Sequence, residues 1–314
     1  MQLSDDDVFR VERPASRGLF LKQSRDAESA AFLRREAFLY RLAAEDPAFS
    51  CLRSGLPAFV AYDGESGVLA VELFSGAESL SQVHARTRSA PAEPAGLLGE
   101  LLGRWHRRPP LAPGDERWRD LFPGEKPWIL GLHRSAPPPN NAAAVFVVDA
   151  LRQDPALRAA MDGLARDYRR AGLIHGDLKF DNCLVLEKSG EMRLKLVDWG
   201  IADRGDPAWD LAGIFQCYLL TWMQLTFSRR AFQPACRDFW RSYCSARGLC
   251  GAAAAAELRL AWRFAGVRLF QTAYEYALSD GPPSWPLISS SLQLGRKMLL
   301  DTEGSLRELS GIAP

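Results

Sequence analysis

Between Leu173 and Ala212 the chain reads LIHGDLKFDNCLVLEKSGEMRLKLVDWGIADRGDPAWDLA, and four polar groups in it stand at telling spacings. Asp177 lies in His175-Gly176-Asp177. Asn182 follows five residues later. Asp198 opens Asp198-Trp199-Gly200 at the end of an apolar strand, and Asp210 stands twelve residues beyond it. A carboxylate that orients a hydroxyl, with two oxygen ligands that hold magnesium against nucleotide phosphates, is the set that phosphoryl transfer needs.

Within that set Asp177 is the candidate base, which takes or orients the proton of an acceptor hydroxyl. Most of the rate would come from positioning and charge neutralisation. Asn182 offers a neutral oxygen to magnesium, and Asp198 a carboxylate that can bridge metal and phosphates. Lys179 is either a bridge to the transferring group or a solvated loop lysine, and the residues alone do not choose. Asp210 sits at the start of an apolar helix, where it can accept backbone N–H bonds and hold the catalytic loop. His175 reads as a structural hydrogen-bonding residue.

Further upstream, Lys22 ends a strand in which alternation puts Phe20 and Lys22 on one face. Glu36 follows fourteen residues later, amid Phe32, Leu33, Leu39 and Tyr40 at helical spacing. A carboxylate on that apolar stripe needs a partner. Lys22 supplies one, and is then held to reach nucleotide phosphates. Glu72-Leu73-Phe74, ending a strand before Gly76, suits a hinge whose backbone could meet an adenine edge.

The elements that must position these groups follow from pattern. Residues 8–23 read as two short strands and a turn. A helix follows from Asp26 to Ala44, then a hairpin over 57–74 and a helix over 92–107. The proline-rich stretch 107–141, loosest at Pro137–Asn141, reads as a surface insertion. Asp154 as N-cap, Pro155 at the first position and Gly172 beyond the end predict a helix from Pro155 to Ala171. Two strands, CLVLE and MRLKLV, joined by Lys188–Glu191, bring Asn182 and Asp198 together. From Pro207 onward the pattern is helical. The expected fold class is α+β and bilobal: a small antiparallel-sheet N-lobe (1–74) and a larger helical C-lobe (75–314), with ATP in the cleft.

Bulk properties narrow the class. The 314 residues are 47% hydrophobic and 25% charged, with a net charge of +1. That is a folded composition with no general pull toward nucleic acid or an anionic membrane. The six cysteines form no CxxC pair and no zinc spacing, as expected of reduced thiols in a cytoplasmic protein. The N-terminus is acidic and carries no signal-peptide pattern. The apolar run Leu211–Phe227 is broken by Gln216 and Gln224 and reads as a buried helix. Lysines number six against 33 arginines, yet two of the six fall where an amine would serve this chemistry.

Together these residues resemble the aminoglycoside phosphotransferase family of the protein-kinase-like fold. HGDxxxxN, the Asp-Trp-Gly magnesium site and GDPAWDLA match its pattern, and VELFSGAESL and LLGRWHRR resemble its hinge and its Leu-His helix end. The resemblance spans residues 5–215 and implies ATP and Mg²⁺ as cofactors and an alcohol as acceptor. It implies nucleotide-binding roles for Lys22, Glu36, Glu72, Phe74, Asn182 and Asp198. The family covers drug-resistance kinases, choline- and homoserine-type kinases, and kinase-like subunits of peptide natural-product synthetases. HGDLKFDN, GDPAWDLA and the helix bearing Tyr218–Trp222 look similar to the last group. There, in class V lanthipeptide and thioamitide pathways, a kinase phosphorylates Ser or Thr of a precursor peptide and a partner lyase eliminates the phosphate.

Two departures stand out. The chain starts too close to Lys22 for a full first strand, so the nucleotide-covering turn would be Leu3–Asp7. The hairpin between Asn182 and Asp198 is also longer than usual. Few acidic groups in the last hundred residues speak against a polycationic acceptor. The expectation is an ATP- and magnesium-dependent kinase acting on a peptide or small-molecule alcohol, with a nucleotide-binding scaffold as the alternative.

Overall fold

Alternating apolar residues in the first strands build one small sheet in the computed structural model, which describes residues 7–12, 18–107, 120–225 and 229–312. Strands β1 (Asp7–Val11), β2 (Leu19–Gln23), β3 (Phe59–Asp63) and β4 (Val68–Glu72) pair antiparallel in the order β1-β2-β4-β3. Lys22 stands opposite Val8 on one side and Leu69 on the other. The nucleotide-covering turn expected over Leu3–Asp7 lies, apart from Asp7, outside the described residues.

Helix α1 (Ala27–Glu45) begins where Asp26 caps it. The Asp26 carboxylate accepts from Ser29 N at 2.8 Å, and Ser29 Oγ accepts from Asp26 N at 3.1 Å. Its buried stripe holds Leu33, Ala37 and Tyr40, with Glu36 among them at 2% exposure. Strand β5 (Glu78–Ser79) leads into α2 (Leu80–Thr87), again through a capping box, from Ser79 and Gln82. Helix α3 (Ala92–His106) follows and ends on two buried residues, Trp105 and His106.

The stretch 107–141 departs from expectation. Among its described residues Phe122, Ile129, Leu130 and Leu132 are buried in the core, the last three on a 3₁₀ turn (Trp128–Arg134). Prolines on either side concealed a core segment. Helix α4 (Ala142–Gln153), capped by Asn141, was not foreseen at all. Helix α5 (Pro155–Asp167) starts at the predicted Asp154 cap but stops four residues short of Ala171. Beyond it Arg169 leaves to bind Asp206, and Gly172 opens strand β6 (Gly172–Ile174) instead of ending a helix.

The chemistry-bearing hairpin forms as the sequence implies. Strands β7 (Cys183–Lys188) and β8 (Glu191–Leu196) pair antiparallel, with β5 on the far side of β7. Ser189 (φ 55°) and Gly190 (φ 77°) both adopt the left-handed conformation that a tight hairpin turn requires. Strand β9 (Asp203–Gly205) pairs with β6. Five helices complete the larger lobe: α6 (Pro207–Leu225), α7 (Arg229–Arg247), α8 (Gly251–Leu278), α9 (Trp285–Leu300) and α10 (Thr302–Ser310). Helix α8 runs through the middle of this lobe, against α6 on one side and α9 on the other, while α7 packs on α3. Leu211, Ala212, Ile214 and Phe215 of α6 are fully buried, and no helix among the described residues is long and apolar enough to cross a membrane. The architecture is α+β with a small antiparallel sheet and a larger helical lobe, as expected.

Candidate active site

Between the sheet and the hairpin lies a cavity of about 400 Å³, within the range of small-ligand sites. Phe20, Leu69 and Val71 line it from the sheet, Leu184 and Val197 from the hairpin, and Leu73 and Phe74 from the connecting segment. Its charged lining is Lys22, Glu36, Glu72 and Asp198, with Arg10 and Glu12 from the first strand and just beyond it. A cavity with apolar walls and ionic groups suits a flat base joined to phosphates.

Lys22 Nζ donates to Glu36 Oε2 and to Asp198 Oδ1, each at 2.8 Å. The Glu36 pairing was expected from the helical stripe; the Asp198 contact was not. Burial would lower the lysine's pKa, but the two carboxylates outweigh it and push it above its ordinary value. Burial would likewise raise the Asp198 pKa, and Lys22 more than offsets this, holding the carboxyl below its usual range. Asp198 sits at φ 68°, rare for a residue with a side chain. Such backbone conformations cost on the order of 1–3 kcal/mol and cluster at functional sites.

Asn182 follows directly from the catalytic loop on a single 3₁₀ turn (Phe180–Asn182). Its Nδ2 donates to the Asp177 carbonyl at 2.9 Å, and its own carbonyl accepts from Val197 N at 3.0 Å. The residue before Asp198 is thus bonded to Asn182, which is how two residues sixteen positions apart come together. With its amide nitrogen so committed, Asn182 would use its amide oxygen toward a cation. Among the described residues no group of three or more His, Cys, Asp or Glu side chains could hold a metal. One amide and one carboxylate nevertheless fit magnesium, which keeps waters and takes phosphate oxygens as its remaining ligands.

Asp177 is one-quarter exposed, and Lys179 Nζ donates to its Oδ2 at 2.6 Å. Burial alone would lower the Lys179 pKa, but Asp177 raises it on balance. The turn that presents Asp177 is held from behind. Asp210 accepts from His175 N at 2.8 Å and from Gly176 N at 3.0 Å, so it holds the loop as its helix-start position implied. Its other buried contact is the His106 ring at 3.2 Å. Burial opposes ionisation of Asp210, yet the bond from His106 and its other partners keep the carboxyl below its ordinary value. His175 itself is fully buried and bonds the Val197 carbonyl at 3.0 Å through Nε2, a structural role. Gly176 has φ 84°, and a Cβ there would sit 2.6 Å from the Ile201 carbonyl oxygen, so only glycine fits.

Arg268 of α8 was missed by sequence reasoning. Its guanidinium is 5% exposed and lies 3.7 Å from Asp177 Oδ1. An arginine in an otherwise apolar helical run, at Val267-Arg268-Leu269-Phe270, was the available signal. In the hinge segment, Leu73 N donates to Gly18 O at 2.8 Å and Glu72 N to Ala58 O at 2.9 Å, so those two amides belong to the sheet. The Glu72 carboxylate lies 3.6 Å from Lys195 Nζ, and that ammonium lies 5.5 Å from the Phe74 ring centre. Lys195 also donates to Leu56 O at 2.7 Å, which ties β8 to the segment leading into β3.

A two-lobed fold with a lysine–glutamate pair over a DWG carboxylate, and an HGD loop facing it, defines a phosphotransferase of the kinase type. The profile described as the phosphotransferase enzyme family (APH) matches residues 3–250, and the chain belongs to that family. It is an ATP-dependent kinase with an alcohol group as acceptor. Among solved structures, amicoumacin kinase hAmiN in complex with AMP-PNP, Ca²⁺ and Ami is similar at 15% identity and TM-score 0.59, over 95% of this chain and 86% of that one. The GDP and kanamycin complex of APH(2")-IIia is similar at 16% identity and TM-score 0.57, over 94% of each chain. Plasmodium vivax ethanolamine kinase is similar at 14% identity and TM-score 0.58, over 91% of this chain and 79% of that one. These identities speak to the fold alone. No curated protein matches the chain significantly.

Proposed function

We propose that the chain transfers the γ-phosphoryl group of ATP to a hydroxyl oriented by Asp177, with residues 1–74 covering the nucleotide and 75–314 carrying the acceptor. The observation that carries this reading is Lys22 bridging Glu36 and Asp198 at 2.8 Å each, in the wall of the cavity. The bond from the γ-phosphorus to the β-bridging oxygen breaks as a bond from the acceptor oxygen forms. The acceptor proton passes to Asp177 or, through it, to solvent. Lys22 would hold the phosphates, and the adenine would lie against Leu184 and the Glu72–Phe74 segment. Asn182 and Asp198 would hold Mg²⁺, which when bound neutralises charge on the phosphate oxygens. Lys179, paired with Asp177, fixes the carboxylate and stands where it can meet the transferring group.

For the acceptor we infer a Ser or Thr hydroxyl of a peptide, with a lyase or synthetase component as partner. Two aromatic pairs on the larger lobe support a surface for an extended chain: exposed Trp128 with half-buried Tyr274, at 5.9 Å, and exposed Phe146 with exposed Trp285, at 5.5 Å. The cations on both oxygens of Asp177 are poor company for a polycation. A small-molecule alcohol is the second reading, favoured by the amicoumacin and kanamycin bound in the similar structures. Incubation with ATP, Mg²⁺ and each acceptor class, read by mass spectrometry, separates the two. Phosphate found on a Ser/Thr-rich peptide supports the first. Phosphate found only on an amino alcohol or an aminoglycoside overturns it in favour of the second.

A further inference from the structure

We infer that Arg268 is a positioning residue for the reaction, holding the Asp177 carboxylate through a buried guanidinium supplied by α8. The inference rests on the reading of Asp177 as the group that orients the acceptor hydroxyl.

Four contacts fix the guanidinium. Nε donates to Gln216 Oε1 at 2.9 Å. Nη1 donates to the Gly176 carbonyl at 3.4 Å. The guanidinium carbon lies 5.0 Å from the Trp209 ring centre. Nη2 faces Asp177 Oδ1 at 3.7 Å. Gln216 is fixed in turn, since its Nε2 donates to the Arg268 carbonyl at 2.7 Å and to Thr272 Oγ1 at 2.6 Å. The arginine therefore has one orientation, and a cation this buried is retained only where charge and hydrogen bonds answer it.

The two cations on Asp177 are not equivalent. Lys179 is 43% exposed on the same loop and can leave Oδ2 for another anion. Arg268 is 5% exposed, comes from a different element, and cannot follow such a move. When Lys179 turns toward phosphate oxygens, Arg268 is the charge that remains against Asp177. It also grips the loop directly, because the Gly176 carbonyl accepts from Trp209 Nε1 at 2.9 Å as well as from Arg268. Helix α6 reaches this depth because Gly213 presses on the loop, where a Cβ would stand 2.1 Å from the Leu178 carbonyl oxygen. Residue 268 lies beyond the matched family span of 3–250, so the catalytic loop depends on a helix outside it. None of the partners of Arg268 lines the nucleotide cavity, which gives the inference a distinctive signature.

The test is ADP release from ATP and Mg²⁺ with water as the acceptor, and again with a Ser/Thr-rich peptide, an amino alcohol and an aminoglycoside, for wild type, Arg268→Gln, Arg268→Lys and Asp177→Ala. Arg268→Gln is expected to lose about 10- to 100-fold in the Asp177-dependent kcat, with the ATP KM within about twofold. Arg268→Lys, which keeps a charge without the fork, is expected to recover part of it. If Arg268→Gln does not fold, Gln216→Leu decides the matter. It frees the guanidinium but leaves the cation, and is expected to lower kcat several-fold at unchanged ATP KM. Wild-type kcat in the variant that folds overturns the inference, as does a parallel loss of kcat and ATP affinity. Wild type equal to Asp177→Ala overturns the reading of Asp177 itself, and the inference with it.

Discussion

Lys22 Nζ lies 2.8 Å from Asp198 Oδ1, although the two residues stand 176 positions apart. One ammonium thereby joins the sheet, the Glu36 helix and the DWG carboxylate. Lys22→Met leaves Glu36 buried at 2% exposure without its cation. Breaking a buried pair from one side costs about 3–5 kcal/mol. The variant should therefore melt well below wild type and bind ATP more weakly. Lys22→Met with Glu36→Met should regain stability without regaining turnover. Thermal melts and steady-state kinetics on both variants check this, and equal stability of the single and double variants would contradict it.

Asn182 and Asp198 should divide the metal requirement. Asp198→Asn keeps size but loses the charge, and should raise the Mg²⁺ concentration needed for half-maximal ADP release while lowering kcat by about 100-fold or more. Asn182→Ala also removes the Nδ2 bond to the Asp177 carbonyl, so its loss of rate should not be fully recovered at saturating Mg²⁺. Chelation should abolish activity in wild type. Magnesium titrations of the three proteins read all of this directly.

Asp210 touches no reacting group, yet its carboxylate accepts from both His175 N and Gly176 N. Asp210→Asn turns an amide NH₂ toward one of those donors. A buried donor left unsatisfied costs about 1–3 kcal/mol. The expected result is a folded but less stable protein with faster amide exchange around residues 175–177 and a reduced kcat. Amide hydrogen exchange of that loop is the direct measurement, and unchanged protection would sink the assignment.

His84 makes stability depend on pH. It is buried against Phe180 at 4.6 Å, and burial pushes its pKa down from 6.5 to about 4. In that window the unfolded chain binds the proton and the folded chain does not. Stability should therefore fall as pH drops from about 6.5 to about 4, and this contribution should flatten below that. His84→Phe should remove this part of the slope. Melting temperatures across pH 4–7 for the two proteins test it; parallel curves would contradict it.

What could be read in advance was local. The Asp154 cap, the turn at Ser189-Gly190 and the HGD, Asn and DWG spacings each lie within a short run of chain, and each appears in the structure where expected. The Glu36 pairing was legible because a carboxylate on an apolar stripe must find a cation. The Lys22–Asp198 contact and Arg268 were not, because both depend on how distant elements pack. Phe122 and Ile129–Leu132 were concealed by neighbouring prolines, which mark turns but say nothing of what is buried between them. Helix α5 ended early because Arg169 is drawn to Asp206, again a long-range pairing.

The central claim is that Asp177 orients an acceptor hydroxyl for phosphoryl transfer from ATP. The most direct measurement is ADP release with ATP and Mg²⁺ for wild type and Asp177→Ala, against aminoglycosides, small amino alcohols and Ser/Thr-rich peptides. The account predicts release that one acceptor class stimulates and that falls by about 10²-fold or more in the variant, with nucleotide binding retained. Nucleotide binding without acceptor-stimulated release, equal in wild type and Asp177→Ala, would contradict it.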